Sequence, residues 1–175
     1  MTTHEYIRSD ANRWLLRGEC LWCKHYILLL LNALFVINQS LAYLFWLRII
    51  QHNNNIMIKY FAKFMYRKIG KKHCLQISPR AHIGKGFYLF HGIGIVINGS
   101  AIIGENVSIS HFTTIGSLKN KAAEIGNNVY IGPGVSIVEN VKIGNNVQIG
   151  SGTVVVKDIP DNSTSVGNPN RIIPH

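Results

Sequence analysis

The chain has 175 residues, 47% of them hydrophobic and only 15% charged, with mean hydropathy +0.13 and net charge +10. That length holds one full domain and at most a small second one. Residues 1–72 carry eleven Lys/Arg against three acids, a net +8, and residues 73–175 carry seven against five, a net +2; the second part has no basic run, which disfavours nucleic acid and favours anionic lipid or an anionic substrate.

The first segment, residues 1–74, reads as helical. Ser9 and Asp10 ahead of Ala11–Trp14 form a helix-start pattern in which either side chain accepts from an orphan N–H. Tyr26 to Leu47 has no charged residue over 22 positions, long enough to span a bilayer. Asn38, Gln39 and Ser40 interrupt it and predict a break between two helices. Basic residues on both flanks (Arg13, Arg17 and Lys24 before, Arg48, Lys59 and Lys63 after) place both ends on one side of any membrane. Beyond Gln51–Asn55 a further helix mixes apolar and basic residues, a composition that suits a membrane surface or packing against another subunit. In either case the helices cap the exposed first coil of the domain on their C-terminal side.

Cysteine usage points away from a disulfide framework. Cys20 and Cys23 make a lone C-x-x-C with no second pair, so they read as ordinary helix cysteines with no metal. The long polar opening does not read as a signal peptide, and the expected setting is cytoplasmic, peripheral on the inner membrane face.

From residue 75 to 160 an aliphatic residue returns every six positions. Ile77, Ile83, Leu89 and Ile95 open the series; after a two-residue slip come Ile103, Ile109 and Ile115; after a longer interruption come Ile125, Ile131, Ile137, Ile143, Ile149 and Val155. Seven are followed by glycine. One hexad cannot bury its aliphatic side chain alone, but stacked coils can, which predicts an all-β solenoid. Three hexads per coil give three columns, starting at Ile77 with Ile95, at Ile83 with Ile103, and at Leu89 with Ile109. Two residues past the third column stand His91, His111, Pro133 and Ser151. This spacing stacks His91 on His111, and imidazole is the usual general base near neutral pH. The interruption Ser117–Glu124, centred on Lys119, Asn120 and Lys121, reads as a substrate or cofactor wall beside them. The remaining histidines (His4, His25, His52, His73, His82 and His175) read as incidental.

The Ile-Gly hexads, the strand from Leu89 to Asn98 and the ending from Val155 to Ile173 together resemble the hexapeptide-repeat acyltransferases. The likeness is to the serine acetyltransferase branch, with its short relatives that acetylate sugars of capsules and exopolysaccharides. It covers about residues 74–173; before them only Asp10, Arg13 and Trp14 are similar to the Asp-x-x-Arg-aromatic opening of the short relatives. The resemblance implies a left-handed parallel β-helix, a trimer, and acetyl-CoA in the groove between neighbouring helices. It implies His91 as the catalytic histidine and Gly132, Pro133, Gly150 and Ser151 as the groove lining. Lys157 and Arg171 would stand near the nucleotide phosphates, and the tail 161–175 would close the site.

Three positions depart from the serine acetyltransferase pattern. Phe90 stands where an acid precedes the catalytic histidine, Gln76 replaces the acid of Asp-Ile-His-Pro, and the loop ends Lys121-Ala122-Ala123-Glu124 without a histidine. These departures favour a sugar hydroxyl of cell-surface polysaccharide over serine as acceptor, with serine the alternative. Transfer would be direct: His91 deprotonates the acceptor, which attacks the thioester carbonyl, and a backbone N–H holds the oxyanion. His111 would keep His91 neutral or bind the acceptor. Two other classes share the solenoid: a γ-carbonic-anhydrase-type metal enzyme, whose closely spaced ligand pair is missing here, and a non-catalytic scaffold.

Overall fold

In the computed structural model, residues 2–16, 26–118 and 121–174 are described. The Cys20/Cys23 pair, Arg17, Lys24, His25 and His175 lie outside them. Four helices, α1 (Thr3–Leu16), α2 (Tyr26–Phe35), α3 (Gln39–His52) and α4 (Ile56–His73), precede a parallel β-solenoid with three faces. Its six-residue repeat is that of a left-handed β-helix.

Each face is one aliphatic column, and fully burying each such side chain is worth about 1.5–3 kcal/mol. Face A stacks Ile77, Ile97, Ile115, Ile137 and Val155. Face B stacks Ile83, Ile103, Ile125 and Ile143. Face C stacks Leu89, Ile109, Ile131 and Ile149, and the chain's last strands, Ser163–Val166 and Arg171–Pro174, extend it. The six-residue spacing predicts Ile95 in the first column; the structure puts Ile97 there. Both are buried, but Ile95 belongs to the inner corner position shared by Thr113, Val135 and Thr153. The two-residue slip therefore lies before Ile95, in the corner that carries His91, and not after it.

The corner between faces B and C is regular. Asn106, Asn128, Asn146 and Asn162 all adopt left-handed backbone, with φ between 54° and 58°. Their amides form a ladder, each donating to the next at 3.3, 3.1 and 2.9 Å.

The helices close the open end of the first coil at three places. On face A, the stacked rings of Tyr43 and Tyr66 lie 4.3 Å apart. The Tyr43 hydroxyl accepts from the Ile77 N–H and donates to the Leu75 carbonyl, and the Tyr66 hydroxyl donates to the Ile77 carbonyl. Beside face B, Arg48 of α3 donates to the carbonyls of Ile83 and Gly84 at 2.7 and 2.6 Å. Its partner is Asp10, at 2.7 Å and equally buried, which also accepts from the Phe87 N–H. Burial pushes the Asp10 carboxyl upward, against the pull of the Arg48 guanidinium. Asp10 is therefore not a helix cap. α1 begins at Thr3, and the Asp-x-x-Arg-Trp sequence is a docking stripe in which Arg13 donates to Ser108 Oγ at 2.7 Å and Trp14 packs on Tyr88. The third contact falls on the corner between faces C and A.

The expected break at Asn38 is present. Asn38 caps α3 by accepting from the Leu41 N–H, and α2 and α3 are bent by 107° there. No single described helix is long and apolar enough to cross a membrane.

Candidate active site

The corner between faces C and A gathers most of the residues singled out from the sequence. Chains enter it in register: Phe90 N–H donates to Ile109 and Ser110 N–H to Ile131. They leave it in a different register, because Phe112 N–H donates to Ile93, Gly134 to His111 and Gly152 to Pro133. The column through the corner is thus Ile93, His111, Pro133 and Ser151. His91 does not occupy the position of His111 one coil down, as the forward count predicts; it stands in the two-residue insertion. The imidazoles nevertheless meet, with ring centroids 5.6 Å apart and planes at 75°.

The insertion is held from below by helices. Ser40 of α3 is buried and its Oγ accepts from the Gly92 N–H at 2.9 Å. The His73 carbonyl, at the end of α4, accepts from the Gly94 N–H at 3.0 Å, the bond that the Ile93 carbonyl makes one coil up. A Cβ on Gly92 would lie 2.5 Å from Ser40 Oγ, so only glycine fits this approach. His91 has φ 48°, a strained backbone for a residue with a Cβ, and its side chain is exposed. The corner therefore fixes the backbone and presents the imidazole to solvent. Sequence reasoning placed Ser40 only at the break between two helices and missed its bond to Gly92, which no spacing signals. It also missed Phe112, which stands at φ 56° where the other coils have Gly94, Gly134 and Gly152, and whose ring lies 5.3 Å from His111. The Nδ1 of His111 is buried without a hydrogen-bond partner among the described residues.

The small residues continue the same corner. A Cβ on Gly132 would lie 2.9 Å from both Ile149 O and Ser151 N, and one on Gly150 would lie 2.9 Å from Val166. Thr113 Oγ1 donates to Ser110 O at 2.8 Å, closing that turn, and reaches Gly132 O of the next coil at 3.3 Å. Above Ser151 the tail crosses from face C to face A, where Val154 N–H donates to Gly167 and Asn170 N–H donates to Val154. The Asn170 side chain accepts from Val156 N–H and donates to the Lys157 carbonyl. Lys157 and Arg171 are thereby brought to either side of Asn170, both exposed.

The loop is elsewhere. Lys119 and Asn120 lie outside the described residues, and Lys121 is exposed. Ser117 donates to Glu139, and Ala122 N–H donates to Ser100 Oγ at 2.9 Å. This loop follows the face A strand that His111 precedes, so within one chain it stands at the opposite end of that strand and not beside the histidines. The extra residues are spent at a corner between faces A and B.

The positions that depart from the resemblance have definite surroundings. Phe90 is half-buried between Tyr88 at 4.6 Å and Tyr130 at 5.8 Å. Gln76 is exposed and lines a cleft of about 960 Å³ with Arg67, Lys71 and Arg80. No three His, Cys, Asp or Glu side chains converge among the described residues.

Comparison with known proteins identifies the family and the fold. The family described as bacterial transferase hexapeptide (six repeats) matches residues 122–157. Serine acetyltransferase 1, chloroplastic, of Arabidopsis thaliana is 43% identical over 119 residues, which are 66% of this chain and 38% of that protein. The chain spans 30–38% of the length of such curated relatives. Among solved structures, Neisseria gonorrhoeae serine acetyltransferase in complex with serine superposes with a TM-score of 0.78 at 30% identity over 98% of this chain and 69% of that one. Brucella abortus serine acetyltransferase in complex with coenzyme A gives 0.78 at 26% identity over 98% and 68%. The chain belongs to the hexapeptide-repeat acyltransferases, on their serine acetyltransferase-like branch.

Proposed function

We propose that this protein transfers the acetyl group of acetyl-CoA directly to a hydroxyl. The observation that carries the reading is the shared corner: His91, exposed on a buttressed insertion, meets His111 of the column that continues through Pro133 and Ser151, below the place where Lys157 of the last coil and Arg171 of the tail flank Asn170. His91 takes the proton of the acceptor hydroxyl while its oxygen attacks the thioester carbonyl. The tetrahedral intermediate collapses with loss of the CoA thiolate, which takes up the proton His91 holds. The orphaned Nδ1 of His111 favours a role in holding the acceptor. Coenzyme A in the B. abortus structure supports the donor, and the small residues Gly132 and Gly150 with the basic tail support its seat.

Serine is the acceptor the comparisons support, since it is named in the relatives and bound in one of the structures. A sugar hydroxyl is a second reading, favoured by Phe90 and Gln76, which leave no carboxylate at those positions to receive an amino group. Thiol release from acetyl-CoA, measured with serine, with free and nucleotide-linked sugars, and with lipid-linked oligosaccharide, separates them. Turnover with serine alone removes the sugar reading, and turnover with a sugar but not serine removes the first. No thiol release with any acceptor, in a folded protein, sinks the proposal as a whole and leaves the scaffold reading.

A further inference from the structure

The outer face of α2 and the first half of α4 expose apolar side chains to solvent. On α2, Ile27, Leu30, Leu31 and Leu34 repeat at helical spacing and are all exposed, Ile27 by 72%. On α4, Ile56, Met57, Tyr60 and Phe64 do the same, with Met57 at 75% and Phe64 at 63%. Trp46 of α3 joins the two stripes: its Nε1 donates to the Ala33 carbonyl of α2 at 3.0 Å, and its ring meets Phe61 of α4 at 5.4 Å. Exposed apolar stripes on two helices that share one tryptophan mark a binding surface.

Charge identifies what covers it. The second half of α4 exposes Lys63, Arg67, Lys68, Lys71 and Lys72, and Lys63 Nζ lies over the Tyr60 ring at 5.6 Å, a lysine stem lying along apolar surface with its charge at the rim. Between Glu19 and Glu105 the chain has ten Lys/Arg and not one acid. A second copy packing the same face would meet only like charge. An anionic surface that takes up apolar side chains meets both requirements. We infer that the α2–α4 face docks on an anionic lipid bilayer, with Met57 and Phe64 entering the headgroup–acyl boundary and the α4 lysines contacting acidic headgroups.

The test is co-sedimentation of the full chain with vesicles of phosphatidylcholine alone and of phosphatidylcholine mixed with phosphatidylglycerol, beside light scattering without lipid. Binding to the mixed vesicles should exceed binding to neutral ones by about tenfold or more and weaken with salt. Met57→Glu/Phe64→Glu should lower it by about tenfold at an unchanged thermal midpoint, because both side chains are exposed in the fold. Lys68→Glu/Lys72→Glu should remove the preference for acidic lipid. Failure to bind either vesicle overturns the proposal, as does equal binding by wild type and both variants. Assignment of the face to a second copy follows, against the proposal, if the wild type ignores vesicles and Met57→Glu/Phe64→Glu dissociates a lipid-free assembly.

Discussion

Two corners of the same solenoid are built on opposite plans. Between faces B and C the corner repeats one residue type in one conformation, with the ladder Asn106, Asn128, Asn146 and Asn162 bonded side chain to side chain. Between faces C and A the corner changes residue in every coil, from Ile93 through His111 and Pro133 to Ser151, and holds a two-residue insertion and a phenylalanine in left-handed backbone. Each rests on the helices at its first coil, the uniform corner on the Asp10–Arg48 pair and the varied one on Ser40 and the His73 carbonyl. Uniformity along a stack is what stability alone selects, since each added coil reuses the same bond. Variation along the same stack, at the corner that brings the two histidines together, is what the proposed transfer site would require.

That contrast breaks most visibly at His91. His91→Ala should lower acetyl transfer by about 10²–10⁴-fold with the thermal midpoint unchanged, since the side chain is exposed. Asp10→Ala should do the reverse at the foot of the uniform corner: it leaves Arg48 buried without its partner and should cost about 3–5 kcal/mol in urea unfolding. Ser40→Ala should show both effects in miniature, about tenfold in kcat from a loosened insertion and about 1–3 kcal/mol from the unsatisfied Gly92 N–H. Asn128→Ala, in mid-ladder, should cost about 1 kcal/mol and leave transfer untouched; a loss of transfer there would erase the distinction between the corners. The smallest effect concerns pH. Burial, with Arg48 nearby, holds His52 below its ordinary value, so the unfolded chain binds its proton more readily than the fold does. Stability should then fall as pH drops through about 6.5, and the thermal midpoint of His52→Asn should fall less over the same range.

The hexads were readable because every column residue has to be aliphatic and nearly every corner has a fixed length. They misplaced the first column because Ile95 and Ile97 are both buried, so an aliphatic count cannot say which of them faces a neighbour across the sheet. His91 was legible from its motif and its distance past Leu89, but its displacement from His111 was not, since that depends on where two extra residues are accommodated. Asp10 was misread because a Ser-Asp pair before an apolar run is written like a helix start. Only the arrival of Arg48 from 38 residues away makes it half of a buried ion pair. The corner roles of Ser40 and Phe112 carry no signal in one dimension: Ser40 reads only as part of a polar helix break, and a phenylalanine in a strand-rich stretch is ordinary until the backbone it meets is known.

The Asp10 contact with the Phe87 amide joins positions 77 apart, and this has a consequence in time. A chain made from its N-terminus has completed all four helices before Phe87 exists. Until the first coil forms, Asp10 has no amide from residue 87 to accept, and Arg48 lacks the carbonyls of Ile83 and Gly84. The helices therefore cannot settle as a finished unit and wait for the solenoid. Their last buried bonds close only when the first coil folds back onto them, a long loop closure that slows folding. A fragment ending at residue 74 is expected to remain loosely packed, and appending residues 75–90 should restore its cooperative unfolding before any part of the candidate active-site corner is complete.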